Sequence, residues 1–426
     1  MKRWSLNLVL AGLLAVASCC LAMRPAEAAS TWTEGLQINA QGAVVWLNTD
    51  IMSIWQIYHW DPKTLTAQMI FQNNNMPGCG FPQINAQGVV VWENEDGQIC
   101  RWDSKIQAVA IISQGIDSLG NIYPHINAQG VVVWEGWDGA HWQIYRWDPK
   151  TQKAQKISQS VSNNDNRQPL INAKGWVVWK HHDGVNDLIY EWTPKTQTAR
   201  YVYHAYKNYD VLINAQGKVV WDSNPDINYE IYLWDPKKPD GCLCLSLSNS
   251  NHQNLAPQIN AQGAVVWWGS FDGTQEQVYH WDPKSKTANK ISNAKYVRDL
   301  LINDKGVVIW TGYNSSNWQM YRWDPKTQEA LNISPTNSKT NAGSPQINNQ
   351  GVVVWRDMDG GQANIYRWDP KTSSALNISQ GNTYPNNYYP QINAKGQVVW
   401  AANGGVNNYS IWLYNPKTEQ AGQIWP

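Results

Sequence analysis

The chain has 426 residues, with 33 Lys and Arg against 33 Asp and Glu, and 15% of its residues are charged. That near-neutral balance argues against nucleic acid as a partner, because phosphate binding needs a concentrated positive surface. Aromatic usage is skewed to 27 Trp and 20 Tyr with only 3 Phe.

The N-terminal segment reads MKRWSLNLVLAGLLAVASCCLAMRPAEAAS. Lys2 and Arg3 precede an apolar stretch from Leu6 to Met23, and Ala26-Glu27-Ala28 offers a small-residue cleavage site. Residues 1–28 are expected to be a secretory signal peptide, which places the mature chain in the periplasm or outside the cell. The alternative is a lipoprotein anchored at Cys19, since Val16-Ala17-Ser18 precede it in lipobox fashion. No later apolar run approaches the roughly 20 residues of a membrane span, so no transmembrane segment is expected.

Residues 29–426 are expected to form one domain of nine units, starting near 36, 82, 124, 169, 211, 257, 300, 345 and 390. Each unit opens on an Ile-Asn pair, at Ile38, Ile84, Ile126, Ile171, Ile213, Ile259, Ile302, Ile347 and Ile392. Gly follows three positions after the Asn, and Trp eight positions after the Ile, from Trp46 to Trp400. A second aromatic anchor recurs at Trp60, Trp102, Trp147, Trp192, Trp234, Trp281, Trp323, Trp368 and Tyr414.

Within a unit, the residues leading to Ile-Asn form a short strand a. Asn-Ala-Gln-Gly is a turn: the Asn side chain can bond the backbone, and Gly takes the left-handed position. Gly-Val-Val-Val-Trp is strand b, apolar on both faces. Gln-Ile-Tyr-Arg-Trp is strand c, Asp-Pro-Lys-Thr a type I turn, and Ala-x-x-Ile-Ser strand d. A four-stranded sheet with two apolar faces must stack on copies of itself. Units of 40–45 residues arranged radially make a β-propeller. The expected fold is therefore all-β, a β-propeller of nine four-stranded antiparallel blades in one ring. An eight-bladed ring or two smaller propellers are the alternatives.

The string P-x-I-N-A-x-G-x-V-V-W…D-G…I-Y-x-W-D-P-x-T…I-S resembles the WD40-like (PD40-class) repeat of TolB-type propellers over all nine units, with Asn-Ala-Gln-Gly where those have Ser-Pro-Asp-Gly. The resemblance implies the fold. It leaves function open, because that family includes scaffolds, lyases and the propeller portions of peptidases.

The anchor tryptophans read as stacking residues, each worth roughly 4–6 kcal/mol of gross burial before chain entropy is subtracted. The recurring turn lysines (Lys63 to Lys417) read as a solvated rim. Functional variation belongs on the b–c and d–a loops, which differ in length and sequence. Off-pattern aromatics there, Trp137, Trp142, Trp318, Tyr388 and Tyr389, together with Gln83, are the candidate ligand-binding residues. The expected function is an exported, non-catalytic binding propeller that recognises a glycan, a peptide or an envelope protein through this loop face, without a cofactor. One alternative is a metal-dependent polysaccharide lyase or hydrolase, in which His125, His141, His181 and His182 hold a divalent metal. Another is an envelope scaffold. No G-x-S-x-G elbow is present. Cys79 and Cys100 both break the pattern of unit 2, and a disulfide between them is expected in an exported protein.

Overall fold

A computed structural model describes residues 34–425, apart from 50–53, 74–79, 115–119, 159–163, 206–209, 226–227, 239–240, 247–252, 271–274, 293, 336–340, 360, 382–384 and 404–408. Among the described residues there are 36 strands and no helix. The first 28 strands form seven separate four-stranded sheets, each paired in chain order. The last eight form two further arrays of four, joined by one parallel bridge between Ala363 and Asn386. All pairing within a unit is antiparallel, as in unit 3, where strand b (Val132–Trp137) lies between a (Asn121–Ile126) and c (Trp142–Asp148), with d (Lys153–Lys156) outermost. Strand d is shorter than its apolar pattern suggested and stops before Ile157-Ser158. Ser158 turns its Oγ inward instead, accepting from the Ile144 amide at 3.0 Å and donating to Gln143 at 2.6 Å.

Strand b is apolar on both faces because each face packs on a different neighbour. In unit 1, Val45 and Leu47 join Val90, Trp92 and Trp102 of unit 2. The opposite face, Val44 and Trp46, packs with Val399, Ala401 and Ile411 of unit 9. Trp425 closes over this last contact, 5.9 Å from Trp46 and 5.3 Å from Tyr58. Every apolar cluster is shared in this way between two consecutive units.

The inner tryptophans are all 1% exposed or less. Most lie flat against the strand-c aromatic of their own sheet, as Trp310 does on Tyr321 at 5.7 Å and 7°. Unit 2 has Cys100 at that place, and Trp92 packs on Phe71 of unit 1 instead. The outer anchors serve the next interface. The residue before each one presses on the outer anchor of the following unit: Arg146 lies over Trp192 at 4.9 Å and Arg322 over Trp368 at 4.9 Å, while His59 takes the role against Trp102. Each such arginine is held by its own turn aspartate, Arg146 by Asp148 at 2.8 Å. Unit 4 has Glu191 at the arginine position, and Arg200 from strand d covers Trp234 in its place while pairing with Glu191.

The Ile-Asn turns repeat one arrangement. The Asn85 Oδ1 accepts the backbone N–H groups of Gln87 and Val89 at 3.0 Å, and Gly88 adopts φ +83°. Its Nδ2 donates to the Asn127 carbonyl of the next unit at 3.2 Å. The same inter-unit bond runs from Asn39 through every unit to Asn393, whose Nδ2 donates to the Asn39 carbonyl at 3.1 Å.

Candidate functional site

Strand a runs toward the Asn turn and strand b away from it. The start of a and the end of b therefore meet at the opposite end of each sheet. There the repeat dissolves. The residue after the inner Trp is Leu47, Glu93, Glu135, Lys180, Asp222, Trp268, Thr311, Arg356 or Ala401, according to unit. A register shift interrupts strand a beside it in most units, and the residue in the bulge has positive φ: Tyr123 at 53°, Gln168 at 58°, Asp299 at 55° and Tyr389 at 53°. A left-handed backbone at a non-glycine residue costs energy and re-aims the side chain.

Three polar groupings occupy this end. The first joins units 2 to 4. Glu135, 1% exposed, accepts from the Gln168 amide at 2.7 Å and pairs with Arg167 at 3.0 Å. Arg167 also lies 3.6 Å from Asp165, and the exposed Tyr123 stands in the field of Glu93, Glu135 and Arg167. Burial pushes the Glu93 carboxyl up to about 7. The second joins units 4 and 5. The buried Asp222 accepts the Asp210 amide at 3.1 Å, and Lys180 is the cation shared by both carboxyls. One ammonium cannot compensate two buried carboxylates, so burial and the Asp222 charge push Asp210 up to about 7. The third joins units 7 to 9. Asp299, raised by burial, accepts from Thr311 at 3.1 Å and lies 3.6 Å from Arg298, while Arg356 lies over Tyr388 at 4.7 Å.

The loop aromatics expected to bind a ligand are found at this end, but their faces are in use. Trp142 is edge-on to Trp137 at 5.6 Å and covered by the Arg167 guanidinium at 4.2 Å. Trp318 is covered by Arg298 at 4.0 Å, and Tyr388 by Arg356 with Tyr389 beside it at 6.0 Å. Gln83 lies away from them, its Nε2 3.4 Å from His125 Nδ1. Sequence reasoning missed the charged residues after the inner tryptophans, although aligning the nine units exposes that column as the variable one.

The four histidines have separate partners. Desolvation lowers His125 to about 4. His141 is 3.8 Å from Asp165, the buried His181 sits edge-on to Tyr190 at 5.5 Å, and His182 pairs with Asp187 at 3.0 Å. Among the described residues, no group of three or more His, Cys, Asp or Glu side chains is placed to hold a metal ion. Cys79 lies outside the described residues. Cys100 is buried, without a disulfide partner among the described residues, and burial pushes its thiol up to about 12. No helix among the described residues is long and apolar enough to cross a membrane.

No protein-family model matches the chain, and no curated protein is similar to it in sequence. Solved structures are similar in fold. Dipeptidyl peptidase 4 of Porphyromonas gingivalis is 12% identical with a TM-score of 0.58, covering 82% of this chain and 59% of that one. A prolyl endopeptidase is 9% identical with a TM-score of 0.49, over 71% of this chain and 49% of that one. The β-propeller domain of the Trilobed protease from Pyrococcus furiosus is 12% identical with a TM-score of 0.46, over 94% and 97%. The chain thus spans 59% of the length of the dipeptidyl peptidase. The likeness to the dipeptidyl peptidase is one of fold alone.

These likenesses correct the functional expectation. The similar structure that carries the correction is a dipeptidyl peptidase, neither a glycan binder nor a polysaccharide lyase. The loop-face recognition of a glycan, a peptide or an envelope protein is set aside, as are the lyase or hydrolase and the envelope scaffold. The physical reason lies in the loops: arginines cover Trp142, Trp318 and Tyr388, and among the described residues no three ligating side chains are placed to hold a metal.

Proposed function

We propose that this chain is a peptidase-associated propeller: nine blades closed into one ring, of the TolB-like class, exported and standing beside a peptidase as its accessory module. The fold likeness to a dipeptidyl peptidase over 82% of the chain carries the reading. Closure of the ring is supported by the asparagine bonds that return from Asn393 to Asn39, and by the packing of Trp425 on Trp46. Such a module supplies a rigid frame with one uniform end and one individual end, and the individual end is the one able to select what reaches or contacts the peptidase.

The test adds the purified chain to the exported fraction of its own cells. Serine hydrolases are tagged there with a fluorophosphonate, and hydrolysis of fluorogenic peptides is followed in parallel. A tagged hydrolase is expected to co-migrate with the chain, and its rate on peptides to change when the chain is added. Unchanged peptide hydrolysis with no co-migrating peptidase overturns the proposal. The ring is tested by a circular permutant that joins residue 425 to residue 34 through a short linker and opens the chain between units 4 and 5. A melting temperature within a few degrees of the parent is expected of a closed ring.

A further inference from the structure

Three free cysteines lie among the described residues. Cys100 fills the place of a strand-c aromatic inside the shared packing. Cys242 and Cys244 stand together on strand d of unit 5 (Cys242–Cys244), opposite Trp234 and Tyr232 of strand c. The repeat does not account for Cys242. The strand-d residue opposite the outer anchor is Ala in seven units, as Ala154 is opposite Trp147, and Val109 in one. Unit 5 puts a sulfur there, and a second sulfur two residues on.

Side chains two apart on a strand share a face. Leu243, on the opposite face, is 48% exposed, while Cys242 packs against the cluster of units 4 and 5 that holds Val202, Trp221 and Trp234. Tyr203 of unit 4 reaches the pair: its ring is 5.6 Å from Trp221, and its hydroxyl bonds the Cys242 thiol. Cys244 Sγ lies 3.9 Å from Ser246 Oγ and is close enough to Cys242 to feel its charge. Glu230, the neighbouring carboxylate, is engaged by Ser246 and Asn254. Among the described residues no third His, Cys, Asp or Glu is placed to join the two sulfurs around a metal. Both cysteines are nevertheless partly exposed, so an ion can reach them.

Spacing decides what such a pair can do. A disulfide needs Cβ atoms roughly 3.5–4.5 Å apart, and residues two apart on a strand stand roughly 6.5–7 Å apart. An ion held between two sulfurs, with bonds of about 2.3 Å, sets them about 4.6 Å apart and spans the longer gap. Calcium takes about six to eight oxygens and structural zinc about four ligands. Thiolates select soft ions, and Cu(I) is satisfied by two in line.

We infer that Cys242 and Cys244 form a two-coordinate site for a soft monovalent cation of the Cu(I) class. Binding replaces two S–H bonds by two S–metal bonds and releases two protons, with no electron transferred. Burial holds both thiols above their ordinary range, so they stay protonated until an ion displaces the protons, and binding strengthens as pH rises. Tyr203 is a positioning residue, its hydroxyl donating to the Cys242 sulfur. The site is independent of the peptidase-associated reading.

Anaerobic titration of the reduced full chain with Cu(I), against bicinchoninate as competing chelator, tests the site, and Ag(I) serves as a redox-inert probe. The chain is expected to bind one ion more than Cys242→Ser or Cys244→Ser, with a sulfur-to-copper absorption band that both substitutions abolish. Either substitution decides the matter should the other fail to fold. Cys100→Ser is expected to keep the ion. Affinity should rise about a hundredfold per pH unit, two protons leaving per ion. Tyr203→Phe should keep the stoichiometry and weaken binding. Zn(II) bound as tightly as Cu(I), or uptake of Cu(I) and Ag(I) unchanged by both serine substitutions, overturns the site. So does a Cys242–Cys244 disulfide formed with glutathione disulfide in a chain that takes up neither ion.

Discussion

At one end of the inner strands the nine units repeat a single turn; at the other the residue after the inner Trp changes charge and size along the chain. The Asn turn places asparagine against the backbone of its own turn and of the next unit, and a backbone partner looks the same in every unit. The far end sets Glu135 against Arg167, Asp210 against Asp222 and Lys180, and Arg356 against Tyr388, partners that are side chains and differ each time. Identity is dictated where the partner recurs in every unit, as the turn backbone does, and released where the partner changes. Stability is therefore invested in the uniform end and in the stacked tryptophans, and the individual end is where units differ.

The largest expected effect comes from the shared packing. Trp134→Ala removes a side chain with no exposed surface, stacked on Tyr145 and bonded through Nε1 to Asn121 at 2.8 Å. A loss of roughly 3–5 kcal/mol is expected in chemical denaturation, from the cavity and the orphaned amide. A loss below about 1 kcal/mol, the range of ordinary surface positions, would erase the distinction between packed and individual residues.

The next effect belongs to the individual end and depends on pH. Asp210 has a folded pKa raised to about 7 from 3.8, so the fold holds a proton that the unfolded chain releases. Its contribution is fully present below the unfolded value and is lost as pH rises toward 7, up to about 4 kcal/mol. Asp210→Asn should keep the shape and flatten that part of the stability–pH curve between pH 4 and 7. His59 works in the opposite direction: burial lowers it to about 4, so its contribution is lost as pH falls from 6.5 toward 4. A parallel curve for Asp210→Asn and the parent would mean that Lys180 compensates both carboxyls.

How much of this was legible in the letters follows from the same comparison. The turns, the strand pattern, the stacking role of the tryptophans and the exposed lysine rim were readable, because nine copies average out accident. The arginines over outer anchors, as Arg146 over Trp192, were not read, since the target lies one whole unit further along the chain. The loop aromatics were read as open surfaces, and the arginines that cover them stand at distant positions: Arg167 lies 25 residues after Trp142, and Arg356 lies 32 before Tyr388. Glu93, Glu135, Lys180 and Asp222 are single letters after a repeated Trp. Only the alternation of strand b, with both neighbours known, sends them all to one end.

A smaller effect is expected at the uniform end. Asn127→Ala withdraws the acceptor of the Gln129 and Val131 amides and the donor to the Asn172 carbonyl, the last two in buried surroundings. About 2 kcal/mol is expected for the groups left unpaired. The same substitution in any other unit should cost about the same, because the bonds are the same. A spread as wide as that among substitutions at the far end would break the contrast.

The smallest effect has the opposite sign. Tyr123 is four residues from Asn127, yet its backbone is left-handed at φ 53° and its side chain is 56% exposed. The left-handed conformation costs a side-chain-bearing residue roughly 1 kcal/mol, a cost that glycine escapes. Glycine in turn loses more freedom on folding and forgoes the little packing the ring makes. Gly35 already occupies the corresponding bulge in unit 1 at φ 66°, so the backbone accepts glycine there. Tyr123→Gly is therefore expected to leave stability unchanged or raise it by about 0.5 kcal/mol, where Asn127→Ala lowers it. The same left-handed bulge recurs at Gln168, Asp299 and Tyr389, so the conformation belongs to the repeated strand and not to Tyr123 itself. A clear destabilisation by Tyr123→Gly would show instead that the ring is held by packing, and that this end of the strand is as structural as the other.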